Sequence, residues 1–207
     1  MKTRNKRLFA GGLLAIPTAA VALALSGDSL NIYDPAGSAN GAGDGSGAIG
    51  NSNTSSVGSL AVGWANTTKE GSVATGFGNI VDSYSLAVGV FNVINTSPDL
   101  NPRNSAAIGK SNGLAAEGSL VVGNSNSLTG TAGGYVTNSA LIGTGLDSSA
   151  SGATVVGVYN TDQPDVRFVV GTGDANTTSN ALEVYDDGRV VIPVAQGDVS
   201  MGAYGAP

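Results

Sequence analysis

The sequence contains no cysteine and no histidine, and only 12% of its 207 residues are charged. The absence of cysteine excludes disulfides, thiolate zinc sites and cysteine nucleophiles, and the absence of histidine excludes an imidazole base or ligand. The charges are unevenly spread, because four of the nine basic residues precede residue 8 and all fifteen acidic residues follow it. The acidic remainder of the chain would repel a phosphate backbone, so we expect no nucleic-acid partner.

Two pairs of aspartates, Asp162 with Asp165 and Asp186 with Asp187, have the composition of a glycosidase acid/base pair. Each pair lies in turn-like sequence, where Asp is favoured because its side chain bonds to the local backbone. We therefore expect a protein that is not an enzyme and has no catalytic, metal or cofactor site. A polysaccharide-cleaving enzyme is kept as an alternative class.

The N-terminus has the organisation of an export signal. Residues 1–7 are basic, residues 8–25 are almost entirely apolar, and Ala22 and Ala24 provide small residues at positions −3 and −1 of a cleavage site. This pattern predicts a signal peptide over 1–24, with a retained membrane anchor as the alternative. Residues 25–45 are rich in Gly, Ser and Ala, which is typical of a flexible lead-in.

A glycine-terminated unit recurs from residue 46 onward. The unit begins with a small residue and alternates small and apolar positions, as in SLAVG at 59–63 and SAAIG at 105–109, and the spacings between its closing glycines are 13, 13, 13, 20, 14, 20, 14 and 14 residues. This period predicts an all-β fold, a parallel β-solenoid with coils of 13–14 residues over 46–165. The last closing glycine is Gly171, and the predicted corner glycines are the eight before it: Gly50, Gly63, Gly76, Gly89, Gly109, Gly123, Gly143 and Gly157.

An asparagine stands three residues after most of these glycines. Asn accepts left-handed backbone angles at a tight corner, and its amide can bond to the equivalent amide of the next coil. We therefore expect Gly-x-x-Asn to form a corner of each coil, with the asparagines stacked as a ladder. These residues are Asn53, Asn66, Asn79, Asn92, Asn112, Asn126 and Asn160.

Neither face of the predicted strands is charged. In SLAVG, Leu60 and Val62 point to one side while Ser59 and Ala61 point to the other. A thin coil buries only one face, so the second face would leave a long apolar stripe in water. This pattern predicts assembly of three or more copies, and the alternative is a monomeric solenoid with a Ser/Ala-rich outer face.

The strings SLAVGWANTTKEGSVATGFGN and SAAIGKSNGLAAEGSLVVGNSN resemble the head repeats of trimeric autotransporter adhesins, the YadA-like head. The resemblance covers roughly residues 46–160. It implies a left-handed parallel β-roll of three chains that binds extracellular matrix, host surfaces or abiotic surfaces. Similar rolls occur in phage tail fibres and other trimeric appendages.

Residues 166–193 break the repeat. Three strands are predicted there, at 168–171, 181–185 and 189–192, with a turn at Asp186, Asp187 and Gly188. This antiparallel segment resembles the short β element of phage tail-fibre and surface-spike proteins. Residues 194–207 form a Gly/Ala-containing tail that we expect to be mobile.

Two insertions, at 93–104 and 127–138, leave from the same corner of the predicted coils. Insertions in repeat proteins often emerge on the binding face, so Asp99, Arg103 and Tyr135 are candidate ligand-binding residues, with a decorative loop as the alternative. Trp64 is a fourth candidate, because it forms an aromatic strip with Phe77 and Phe91 in successive coils. That strip indicates carbohydrate or partner contact, or packing at a subunit boundary.

These observations together predict a secreted or cell-surface β-roll protein with a structural or adhesive role. Its expected partners are copies of itself, as a trimer or a polymer, and a host-surface, matrix or carbohydrate ligand. The alternative is a subunit of a polymeric extracellular filament or of an appendage like a phage tail fibre.

Overall fold

A computed structural model describes residues 22–26, 29–33, 40–94, 104–130 and 136–193 of the chain. These ranges form strands and turns only, and they contain no helix long and apolar enough to cross a membrane. Numbered along the chain, the strands of one long sheet are β1 (Ala22–Ser26), β2 (Ser29–Tyr33), β4 (Gly47–Asn51), β6 (Leu60–Trp64), β8 (Val73–Phe77), β10 (Leu86–Val90), β12 (Ala106–Lys110), β14 (Leu120–Asn124), β17 (Ala140–Thr144), β19 (Thr154–Val158), β20 (Val166–Thr172), β21 (Asn180–Tyr185) and β22 (Val190–Val191). The strands of a second, short sheet are β3 (Gly41–Ala42), β5 (Thr54–Ser55), β7 (Thr67–Thr68), β9 (Ile80–Val81), β11 (Val93–Ile94), β13 (Gly113–Glu117), β15 (Ser127–Thr129) and β18 (Asp147–Ser148), with β16 (Val136–Thr137) beside β13.

The two sheets are built by a coil that repeats along the chain. Each coil gives one strand to the long sheet and one to the short sheet, and both sheets are parallel in this region. Equivalent positions stay in register from coil to coil, so Gly63 pairs with Gly50 and with Gly76. The stack contains about nine coils of about 14 residues, which confirms the predicted parallel β-solenoid.

The interior between the sheets is narrow and is filled by small side chains in the early coils. The inward column of the long sheet begins with five buried alanines and continues with larger aliphatic residues in the later coils: Ala48, Ala61, Ala74, Ala87, Ala107, Val121, Leu141, Val155 and Val169. The serines that open each repeat are buried as well. The expectation of a Ser/Ala-rich outer face is therefore wrong, because these serines and alanines line the interior.

The C-terminal segment forms the predicted antiparallel sheet with shifted boundaries. β20 lies parallel to β19, with Phe168 beside Thr154, so it continues the coil stack beyond residue 165. β21 then pairs antiparallel with β20, and β22 pairs antiparallel with β21. The third strand is shorter than predicted and begins at Val190 rather than Arg189.

The N-terminal part of the described chain also joins the sheets. β2 and β3 lie within the segment 25–45 that the composition predicts as flexible, and β2 pairs in parallel with β4 because Leu30 and Ile32 keep the alternation of the repeat. β1 pairs antiparallel with β2 and contains the predicted cleavage position after Ala24. The rest of the predicted signal peptide and the predicted tail at 194–207 lie outside the described residues.

Candidate interaction surface

A ladder of asparagine side chains runs along one corner of the coil stack. The backbone amide and Nδ2 of Asn66 both donate to Oδ1 of Asn53, at 3.1 and 3.0 Å. The same pair of bonds recurs at each following step from Asn79 to Asn126. The predicted ladder is therefore present from Asn53 to Asn126, and all its members are buried.

The ladder asparagines also donate hydrogen bonds to the carbonyl groups of the corner glycines. Nδ2 of Asn66 donates to the carbonyl oxygen of Gly76 in the next coil at 2.9 Å. The corner glycines have φ between 106° and 154°, and a Cβ on any of them would lie 1.8–2.2 Å from the carbonyl oxygen of the next glycine. Glycine is required here both by the backbone angle and by the close approach of successive coils.

The left-handed residue at these corners is not the asparagine. It is the residue before it, such as Ser52 at φ 56°, Ala65 at φ 54° and Phe91 at φ 54°. The expectation that the asparagines themselves adopt left-handed angles is thus wrong. The reversal is completed one residue earlier, which turns the asparagine side chain into the interior where its amide meets the ladder.

The ladder stops two coils before the end of the predicted repeats. Leu146 occupies the position of the next asparagine, and its backbone amide donates to Oδ1 of Asn126 at 2.9 Å. Asn160 returns to the asparagine position in the following coil but bonds to Asp147 instead of another ladder member. Asn160 is therefore a corner residue outside the ladder.

A second ladder, of serine hydroxyls, lies where each coil enters the long sheet. The amide of Ser85 donates to Oγ of Ser72 at 3.2 Å, and the amide of Ser139 donates to Oγ of Ser119 at 3.1 Å. This ladder was not predicted from the sequence, although the serine that opens most of the repeats could have indicated it. The buried serines at this position are Ser46, Ser59, Ser72, Ser85, Ser105, Ser119 and Ser139.

The two ladders hold the outward side chains of the long sheet in straight columns. We call these columns, on the ten parallel strands from β2 to β20, the outer face. One column is Leu30, Gly47, Leu60, Val73, Leu86, Ala106, Leu120, Ala140, Thr154 and Phe168, and the other is Ile32, Ile49, Val62, Thr75, Val88, Ile108, Val122, Ile142, Val156 and Val170. Neither column contains a charged residue, and exposure of its large side chains reaches 47% at Ile142.

Three aromatic rings extend the outer face at the glycine corner. The rings of Trp64 and Phe77 are 5.3 Å apart at 84°, and those of Phe77 and Phe91 are 4.9 Å apart at 85°. Trp64 remains 56% exposed and Phe91 50% exposed. We call these three residues the aromatic corner.

The structure brings only one of the four candidate ligand residues onto a described surface. Trp64 lies at the end of β6, on the edge of the outer face. Asp99, Arg103 and Tyr135 lie outside the described residues. The two insertions that carry these three residues are therefore described only at their ends, where β11, β15 and β16 lie in the short-sheet region.

Among the described residues, charged side chains are absent from the two columns of the outer face, but Lys110 ends β12 in the same row as Trp64 and Phe77. Lys69 and Asp82 form an ion pair of 2.9 Å in the turns that lead back into the long sheet. At the end of the short sheet, partial burial and the nearby carboxylate of Asp162 raise the pKa of Asp147, against hydrogen bonds from the Ser127 hydroxyl and the Ser148 amide. Within the described ranges no group of three or more acidic residues lies together as a metal site would require.

Two of the aspartates considered for glycoside hydrolysis, Asp162 and Asp187, accept hydrogen bonds from neighbouring parts of the fold. Asp162 accepts hydrogen bonds from the amide and hydroxyl of Ser149, at 3.0 and 2.6 Å. Asp187 accepts from the amide of Arg189 and pairs with its guanidinium at 2.6 Å. The contacts of Asp187 are those of a turn-forming aspartate, whereas Asp162 bonds to the preceding coil.

No protein-family model matches this chain, and no curated protein matches its sequence. The likeness to adhesin heads therefore rests on the repeat and its register. The structure shows a parallel β-solenoid whose coils repeat and whose long sheet has an exposed apolar face.

Proposed function

We propose that this protein is exported and acts as a structural or adhesive β-roll at a cell surface or in the extracellular medium. Its copies associate through the outer face, most simply as a trimer. The observation that carries the proposal is the outer face itself, two uncharged columns that run unbroken across ten parallel strands.

The size of the outer face supports burial between copies. At about 4.8 Å per strand, ten strands give a length of roughly 43 Å, and two columns with their side chains are about 10 Å wide. The resulting area is on the order of 400 Å² before the aromatic corner is added, which is within the range of the largest apolar patches on monomeric proteins. Two copies that cover each other's outer face would together bury about 800 Å², a small interface to which the aromatic corner would add area.

The trimeric state and the export of this protein are two parts of the proposal that rest on different observations. The outer face fits any closed assembly of this chain, whereas three copies are what the resemblance to adhesin heads implies. Export is supported by the basic and apolar residues at the start of the sequence. An adhesive role is supported by the same resemblance and by the regular, rigid surface that two hydrogen-bond ladders create.

The self-association is tested with two matched substitutions. Ile142→Glu places a charge in the outer face, and Ile80→Glu places one on the exposed side of the short sheet, where Ile80 is 41% exposed. Multi-angle light scattering should report an oligomer for the unsubstituted protein and for Ile80→Glu, and a monomer for Ile142→Glu. A monomeric unsubstituted protein, or equal masses for both variants, would contradict the proposal.

The adhesive role is tested separately. The fluorescently labelled protein should be retained on immobilised extracellular-matrix protein or on polystyrene, and far less on a surface blocked with a hydrophilic polymer. Equal retention on all three surfaces would leave a structural role without adhesion.

A further inference from the structure

A stack of parallel coils can be extended at its ends by further strands. The last strand of each sheet carries backbone N–H and C=O groups that a further coil, from the same chain or from another copy, could pair with. Head-to-tail growth joins the C-terminal end of one copy to the N-terminal end of the next, so sealing one end is enough to stop it.

Side chains seal the C-terminal edge of the short sheet. In earlier coils the amide that opens each short strand donates to a backbone carbonyl of the next coil, as Thr67 does to Asn79 at 2.8 Å. At β18 the equivalent amide, that of Asp147, donates instead to Oδ1 of Asn160 at 2.7 Å, and Nδ2 of Asn160 returns a bond to the Asp147 carbonyl at 2.8 Å. One side-chain amide thus replaces the backbone of a further strand.

The same replacement occurs two residues farther along. The amide of Lys69 donates to the backbone carbonyl of Val81 in the next coil at 2.9 Å. The equivalent amide of Ser149 donates to the side-chain carboxylate of Asp162 at 3.0 Å. The backbone at 160–162 has therefore left the sheet, and its side chains satisfy the edge that it leaves behind.

A further layer repeats this arrangement. The amide of Thr161 donates to Oδ1 of Asn180, and Nδ2 of Asn180 donates to the Thr161 carbonyl, both at 2.9 Å. Asn180 belongs to β21, so the antiparallel strand of the long sheet also covers the end of the short one. The two sheets are closed by one connected set of contacts.

Within the described residues, the long sheet ends in a manner that a parallel coil could not continue. β21 runs antiparallel to β20 with two register irregularities, β22 is only two residues long, and Pro193 follows it without an N–H to donate. Glu183 occupies the inward position opposite Val169 and is 6% exposed. Its carboxylate accepts from Asn180 Nδ2 at 2.6 Å and from the Tyr185 hydroxyl at 2.7 Å, so β21 belongs to the same set of contacts that closes the short sheet.

We propose that residues 160–193 form a cap that closes the C-terminal end of both sheets and prevents head-to-tail polymerisation of this protein. Copies then associate side by side only, and the assembly is discrete. The proposal does not rest on association through the outer face: a monomer would overturn that association and leave the cap intact, whereas an open-ended filament would overturn the cap.

The first test uses the full, unsubstituted chain. Light scattering and negative-stain electron microscopy over a hundred-fold range of concentration should show particles whose length does not grow. Hydrogen exchange should find the amides of Asp147 and Ser149 as protected as those of Thr67 and Lys69 inside the stack. Particles that lengthen with concentration, or edge amides that exchange at least ten-fold faster than the internal ones, would overturn the proposal.

The second test opens the edge. Asn160→Ala combined with Asp162→Ala removes both side-chain acceptors, and Asn176→Ala combined with Asp44→Ala makes the same chemical change at exposed positions. The first variant should lose protection at Asp147 and Ser149 by about ten-fold, as expected for one lost hydrogen bond, whereas the control should keep it. Particles of both variants should stay discrete, because β21 and β22 still cover the end of the long sheet. If circular dichroism shows that the first variant is unfolded, the concentration series and exchange of the unsubstituted chain decide. A folded variant that keeps the protection of both amides would overturn the proposal.

Discussion

Asn53 and Asn66 are joined by two hydrogen bonds to one atom, because Oδ1 of Asn53 accepts both the backbone amide of Asn66, at 3.1 Å, and its Nδ2, at 3.0 Å. Each ladder asparagine therefore links three consecutive coils, since it accepts from the coil after it and donates to the coil before it and to a corner glycine. The corner depends on buried amides where most proteins of this size use large apolar side chains. Such a network is strong when complete and costly when one member is missing.

Replacing one ladder asparagine should destabilise the whole stack. Asn79→Ala removes donation to Asn66 Oδ1 and to the Gly89 carbonyl and leaves the Asn92 amide without its acceptor. We expect a loss of about 3 kcal/mol or more in the free energy of unfolding, since several buried bonds are lost and buried groups are left unpaired. Chemical denaturation should show this loss, while Asn176→Ala at an exposed turn should stay within about 0.5 kcal/mol of the unsubstituted protein. Equal stability of the two variants would contradict the structural role of the ladder.

A methyl group at a corner glycine should not be tolerated. A Cβ on Gly76 would lie 2.0 Å from the carbonyl oxygen of Gly89, at a backbone φ of 123°. Because both partners are backbone, no side chain can move aside, and Gly76→Ala should lower stability by more than about 3 kcal/mol or prevent folding. Gly113→Ala is the matched control, since nothing lies within 4 Å of its Cβ position. Circular dichroism melts of the two variants should differ in this direction, and similar melting temperatures would be inconsistent with the close approach of the coils.

The period of the sequence predicted the coil, its strands and the asparagine ladder, because each depends on spacing alone. Alternation in SLAVG also separated two faces but could not say which one is inside. That choice depends on the distance between the sheets, which admits Ser59 and Ala61 and leaves Leu60 outside. Spacing is local, whereas the width of the interior is a property of the folded coil.

Three further features could not be predicted from the sequence, because they too depend on the folded coil. The serine ladder uses the commonest small residue of the repeat, so its hydrogen bonding looked like simple packing. The left-handed angle falls on Ser52, Ala65 or Phe91, which share no residue type that would mark the position. The contacts of Asn160 and Asn180 depend on where the backbone leaves the sheet; the sequence shows that the repeat breaks after residue 165 but not which side chains cover the edge.

The stability of the C-terminal coils should depend on pH through Asp147. Partial burial and the Asp162 carboxylate raise the pKa of Asp147 in the folded protein, so its ionised form opposes folding. Stability should therefore increase as the pH falls through this raised pKa, and the penalty should be fully present above it. Asp147→Asn should raise the melting temperature at pH 7 and reduce its change between pH 7 and pH 4. Asp44→Asn, at an exposed turn, serves as the control; identical pH profiles for all three proteins would contradict the assignment.

Trp64 provides an internal probe of the aromatic corner. It is the single tryptophan of the chain and is 56% exposed when one copy stands alone. If the outer face and its edge are covered by a neighbouring copy, the indole ring is shielded from water in the assembly. Its emission maximum should then lie at shorter wavelength in the unsubstituted protein than in the Ile142→Glu variant, and acrylamide should quench it several-fold less. The same contrast should be absent for Ile80→Glu, whose substitution lies on the short sheet. Equal quenching in all three proteins, combined with an oligomeric mass, would place the aromatic corner outside the interface and leave it free for a ligand.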